Sequence, residues 1–150
     1  MITIKRTDSD NEDFKYLISF LDRELSERDG DEHSFYAQFN KVDMIKHVVV
    51  AYNKNEPVGC GAIKAFNDES VEIKRMYVAN QERRKGVANE ILSELEQWAA
   101  ELGFEKCVLE TGKKQPEAIA LYQKSGYAII PNYGHYAGVE NSVCMQKNAV

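Results

Sequence analysis

The sequence lacks a long apolar run, carries little cysteine and has no excess of positive charge. No apolar stretch approaches the ~20 residues needed to cross a bilayer, and the opening MITIKRTDSD contains no apolar signal region. A membrane partner is therefore not expected. Cys60, Cys107 and Cys144 are far apart and odd in number, with no CxxC pair. They point to neither a disulfide framework nor a zinc site, and read as reduced thiols of a cytoplasmic protein. The net charge of −5 argues against a nucleic-acid binder, which needs a basic face, and is compatible with an amine substrate. Neither GxxxxGKS/T nor a complete GxGxxG occurs, which argues against a nucleotide-binding regulatory domain. No repeat or low-complexity linker interrupts the chain. A length of 150 residues suggests one domain with one sizeable core, and 43% hydrophobic with 29% charged residues is ordinary for a soluble globular protein.

What is present centres on Val71 to Leu102, VEIKRMYVANQERRKGVANEILSELEQWAAEL. A β-branched run ends at Val78 and a basic loop follows, Arg83-Arg84-Lys85-Gly86-Val87-Ala88. A periodic helix starts inside that loop, with Val87, Ile91, Leu92, Leu95, Trp98, Ala99 and Leu102 on one apolar face and Gly103 as its stop. Main-chain N–H groups at a helix start have no intrahelical partner, and the helix dipole favours negative charge there. Gly86 lets the backbone approach a bulky anion, and Ala88 keeps the next turn slim. The loop suits a pyrophosphate.

Ile2 to Arg6 alternate as a first strand. Ser9 and Glu12 have capping-box spacing, ahead of a helix with Phe14, Leu17, Ile18, Leu21 and Leu25 on one face, broken at Asp29-Gly30-Asp31. A second short helix is expected over Glu32 to Phe39. Strands at His47 to Tyr52, Val58 to Phe66 and Val71 to Val78 are joined by turns too short to cross over, which predicts an antiparallel meander. Gly59 and Gly61 mark a bulge or close packing within it. Lys106 to Glu110 follows the long helix and should run parallel to Val71–Val78. A short helix opens at Pro116 and closes at Gly126, and Tyr127 to Ile130 with Asn141 to Gln146 should form a terminal antiparallel pair. The loop between them is aromatic and glycine-rich. Its Tyr133, His135 and Tyr136 could close over a substrate or serve a homodimer interface.

Three pieces carry a family resemblance: the IKRMYV strand, the basic loop, and LETGKKQPEAIALYQKSGY from Leu109 to Tyr127. In that order and spacing the chain resembles the GNAT N-acetyltransferases. The loop fits their Arg/Gln-x-x-Gly-x-Gly/Ala pattern, which grips the pyrophosphate of acetyl-CoA. The resemblance implies an α/β fold with a mixed, mostly antiparallel sheet of about seven strands, about four helices and a splayed pair of parallel strands. The pantetheine arm would lie between those strands, on backbone groups over Met76, Tyr77 and Val78. Arg83, Arg84, Lys85, Gly86, Val87 and Ala88 would hold the phosphates, and Gln115 would stand where the family commonly has an Asn. One strand N–H could steady the oxyanion of the reacting thioester.

The resemblance places Tyr122 as proton donor to the departing thiolate and Glu72 as base, with Glu110 or a water chain as alternatives. No nucleophilic Cys is implied, since Cys107 lies mid-strand and lacks a sequence-evident base. The two-helix region after the first strand would wall the acceptor site. His33 and Tyr36 are substrate candidates there, beside Glu110 and Tyr136. The reading is an acetyl-CoA-dependent N-acetyltransferase acting by direct transfer to a primary amine in a ternary complex, with no metal. A non-catalytic acyl-CoA-binding module is the alternative.

Overall fold

The computed structural model describes residues 1–29 and 44–149. Seven strands form one sheet: β1 (Ile2–Thr7), β2 (His47–Asn53), β3 (Glu56–Ala65), β4 (Ser70–Val78), β5 (Lys106–Gly112), β6 (Ala128–Ile130) and β7 (Ser142–Asn148). Their order is β1-β2-β3-β4-β5-β7-β6. Every neighbouring pair is antiparallel except β4 with β5. Among the described residues there are three α-helices: α1 (Glu12–Asp29), α2 (Val87–Glu101) and α3 (Pro116–Lys124). The short helix expected over Glu32 to Phe39 lies outside the described residues.

The sheet is covered on both faces. On one, Phe14, Leu17 and Ile18 of α1 pack with Val48, Val50, Cys60, Ala62 and Tyr77. On the other, Val87, Ile91, Leu92, Leu95 and Ala99 of α2 pack with Val49, Val71, Ile73, Leu109 and Met145. Gly59 and Gly61 are what lets α2 lie so close. A Cβ on Gly59 would stand 2.9 Å from Ile91 Cδ1, and one on Gly61 would stand 2.6 Å from Met76 Sδ and 2.9 Å from Leu95 Cδ1. The β3–β4 register also shifts between Cys60 and Ala62, opposite Arg75, whose φ of 57° is left-handed. A bulge and close packing therefore coincide.

The helix starts and stops have local causes. The capping box read at Ser9 and Glu12 is replaced by another device. Asn11 Oδ1 accepts the Phe14 N–H at 2.9 Å and caps α1, while Ser9 pairs with Ile45 through both its N–H and its hydroxyl oxygen. At the end of α2, Phe104 N–H reaches the Ala99 carbonyl and Gly103 N–H that of Ala100, with Gly103 at φ 95°. This is a Schellman closure. Leu102, expected on the apolar face, falls in that closure and is 44% exposed. Helix α3 closes the same way. Tyr127 N–H bonds Tyr122 O at 2.9 Å, Gly126 N–H bonds Gln123 O at 3.1 Å, and the two tyrosine rings meet edge to face at 5.9 Å. The Gly126-Tyr127 pair thus fixes where Tyr122 stands.

Candidate active site

Strands β4 and β5 are paired only through Ser70–Lys106, Val71–Cys107 and Glu72–Val108. Beyond Glu72 they part, and among the described residues the rest of β4 has no strand partner on that edge. The other edge of β5 is fully taken by β7, from Lys106–Asn148 to Gly112–Ser142. The gap opens into a cavity of about 1040 Å³ running from Gly86 to Glu72 and Tyr136. Ala79 N–H donates to Val58 O at 2.8 Å, toward β3. Alternation along an extended strand then turns the N–H groups of Val78 and Met76 into the gap. Tyr77, between them, lines the cavity but stacks its ring on Phe20 in the α1 core, with the Arg83 guanidinium also over the ring at 5.5 Å.

At the other end of the cavity, Gly86 precedes α2 in a left-handed conformation (φ 85°), and Arg84 two residues earlier is also left-handed (φ 67°). Backbone that alternates hand in this way presents successive N–H groups to an anion, here at a helix start. Among the described residues nothing lies within 4 Å of a Cβ placed on Gly86, which leaves room for a close approach. The three cations separate. Arg84 lines the cavity and is exposed. Arg83 donates through Nε to Val78 O at 2.7 Å and through Nη2 to both oxygens of Glu24, tying the end of β4 to α1. Lys85 pairs with Glu82 at 3.5 Å and stays outside the cavity lining. Val87, Ala88 and Gln115 all line the cavity.

Tyr122 is buried against the α2-side core and lines the cavity. Burial pushes its phenol well above the ordinary value, and the Glu110 carboxylate adds to that shift. It is a neutral donor at physiological pH. No hydrogen bond of its hydroxyl is found among the described residues. Across the gap, on the α1 face, Glu72 is 8% exposed, accepts the Tyr133 hydroxyl at 2.6 Å and pairs with Lys74 at 3.1 Å. Glu110 accepts the Ser142 hydroxyl at 2.8 Å. Tyr136 is buried, meets Tyr133 and His135 edge to face, and lines the cavity. His33 and Tyr36 lie outside the described residues.

Burial pushes the thiols of Cys60 and Cys107 up to about 12 and that of Cys144 up to about 11. All three are neutral near pH 7, which leaves no thiolate nucleophile among them. No group of His, Cys, Asp and Glu able to hold a metal occurs among the described residues, and no described helix is long and apolar enough to cross a membrane.

Sequence reasoning singled out neither Arg75 nor the Tyr133–Glu72 bond. For Arg75 a signal existed. Lys74 and Arg75 are consecutive strand cations in a sheet covered on both faces, so a buried charge was to be expected.

Comparison with known proteins agrees with this geometry. Residues 11–127 match the family model described as the acetyltransferase (GNAT) family. The IAA acetyltransferase of Azospirillum brasilense is 31% identical over 150 residues, 97% of each chain. The uncharacterized N-acetyltransferase YsnE of Bacillus subtilis is 34% identical over 99 residues, 65% of this chain and 66% of that protein. A Klebsiella pneumoniae structure assigned to the acyl-CoA N-acyltransferases superposes with a TM-score of 0.83 at 29% identity, over 100% of this chain and 99% of the other. A GNAT acetyltransferase of Elizabethkingia anophelis solved with acetyl-CoA shares the fold, with a TM-score of 0.69 at 19% identity over 98% and 97% of the chains. The chain belongs to the GNAT acetyltransferases, the acetyl-CoA-dependent N-acetyltransferases. Acetyl-CoA is accordingly its co-substrate, and acetyl transfer its class of reaction.

Proposed function

We propose that the protein transfers the acetyl group of acetyl-CoA directly to a primary amine while both are bound. The observation that carries this reading is the parting of β4 from β5 after Glu72, which opens one cavity onto unpaired strand amides, Tyr122 and the Gly86 loop. Residues Arg84 to Ala88 offer main-chain N–H groups to the diphosphate, with the Arg84 side chain adding charge. The pantetheine arm extends the free edge of β4. The Met76 or Val78 N–H steadies the oxygen of the thioester as it gains charge, an interaction strongest in the transition state.

Tyr122 then donates to the departing sulfur from the α2 side. Glu72, oriented by Tyr133 and Lys74, takes the amine proton through water from the α1 side. Donor and base thus approach the reaction from opposite faces of the sheet. Glu110 is a second acceptor of the proton, favoured by its electrostatic reach to Tyr122.

Release of the CoA thiol, followed with a panel of amines, tests this reading. Tyr122→Phe should lower kcat about 100-fold and leave acetyl-CoA affinity unchanged. A protein that binds acetyl-CoA yet releases no CoA with any amine would instead be an acyl-CoA-binding module.

A further inference from the structure

Arg75 is a buried cation left incompletely satisfied. Its side chain is 2% exposed, and Nη2 donates to Asp22 of α1. Among the described residues, Nε and Nη1 are buried with no acceptor. Three partly buried cations are better served. Arg6 has Glu94 and Glu101, Arg83 has Val78 O and Glu24, and Lys147 has Glu96. Asp22 is 59% exposed, so water weakens its compensation of the Arg75 charge. A buried guanidinium with donors unmade is costly and calls for a physical reason, of which completion by a bound ligand is one.

The position is informative. Arg75 sits at the β4 bulge, immediately before Met76, and lines the same cavity as Glu72, Glu110 and Tyr122. A cation with two donors open among the described residues therefore shares a cavity with the Glu72 and Glu110 carboxylates, beside the strand amides proposed to hold the thioester. A carboxylate and an ammonium on one small molecule would satisfy both halves of that arrangement. Neither a simple polyamine nor the amine of a peptide-bonded residue brings an adjacent anion to Arg75.

Resting on the N-acetyltransferase reading above, we propose that the acceptor is a free amino acid. Arg75 receives its carboxylate, and its amine lies between Glu72 and the thioester. The guanidinium acts as a binding group that sets specificity and takes no part in moving protons.

Matched acceptors test this with the full chain saturated in acetyl-CoA: each common amino acid, its decarboxylated amine and its carboxamide, scored by CoA thiol release. At least one amino acid should exceed its amine and amide by more than about tenfold in kcat/KM, because a site built to bond a polar group rejects the analogue lacking it. Arg75→Gln and Arg75→Met should bring each matched set to within about threefold, mainly through KM for the acid. The melting-point rise caused by acetyl-CoA should be retained.

Equal or better use of the amines or amides by the wild-type protein overturns the proposal and leaves the N-acetyltransferase reading standing. Retention of the acid preference in a folded Arg75→Gln overturns it as well. Should the variants fail to fold, the wild-type sets decide. If no acceptor turns over, the same amino acids are tested for raising the melting point of the CoA-saturated protein. No rise with any of them overturns the proposal. No response to acetyl-CoA itself removes the function reading beneath it.

Discussion

Two buried triads in this protein have nearly the same chemistry and different surroundings. Glu96 of α2 accepts the Tyr127 hydroxyl at 2.8 Å and pairs with Lys147 at 3.0 Å. Glu72 of β4 accepts the Tyr133 hydroxyl at 2.6 Å and pairs with Lys74 at 3.1 Å. Both carboxylate side chains are 10% exposed. The Glu96 triad is closed between α2 and the β6–β7 edge, and none of its members lines the cavity. In the other triad, Glu72 and Lys74 line the cavity between β4 and β5, with the incompletely paired Arg75 three residues along the strand from Glu72. The lesson is that a Glu–Tyr–Lys set does not announce its role. The open volume beside it, and the donors left unmade nearby, separate a brace from a candidate site.

Breaking the first triad should cost the fold. Glu96→Ala leaves a buried phenol and a partly buried ammonium without their acceptor, and should lower stability by about 3 kcal/mol in urea unfolding. The acetyl-CoA KM of the folded fraction should be unchanged. Breaking the second should cost the reaction. Glu72→Gln keeps the shape and should reduce kcat about 100-fold, with a stability change below about 1 kcal/mol. If the two variants exchange these phenotypes, the contrast between brace and site is wrong.

The bulge can be probed from the other side of the sheet. Gly61→Ala would press a methyl group on Met76 and Leu95, and should cost about 1–3 kcal/mol of stability with a fall in kcat as β4 shifts. Tyr133→Phe removes the hydroxyl that orients Glu72. A roughly tenfold loss in kcat is expected, with an altered pH–rate profile and unchanged acetyl-CoA affinity.

The smallest effect lies in alkali. Burial, and then the neighbouring carboxylate, raise both the Tyr127 and the Tyr133 phenol above their unfolded value of ~10. Above that pH the unfolded chain binds fewer protons than the folded one. The contribution is therefore complete below about pH 10 and is lost as pH climbs beyond it. Tyrosinate absorbance from these two should appear only with unfolding.

Much of this was legible in the sequence because it is locally encoded. Strand ends coincide with turn clusters such as Asn53–Glu56, and α2 and α3 end where Gly103 and Gly126 permit a left-handed residue. Tyr122 could be placed from the resemblance, and Gly126-Tyr127 is the local reason it stands there. What stayed hidden spans the chain. Tyr133 reaches Glu72 across 61 positions, and Arg83 reaches Glu24 across 59. No local period encodes such pairs. The Ser9–Glu12 spacing misled for the same reason, since Ser9 is claimed by Ile45 and Asn11 takes the cap.

The central claim is that the free edge of β4 and the Gly86 loop together hold acetyl-CoA. Backbone amide resonances followed during an acetyl-CoA titration test it most directly. The largest shifts should fall on Met76, Val78 and residues 84–88, while those around Glu96 and Lys147 stay still. Saturable binding that leaves Met76, Val78 and the Gly86 loop unperturbed would contradict it.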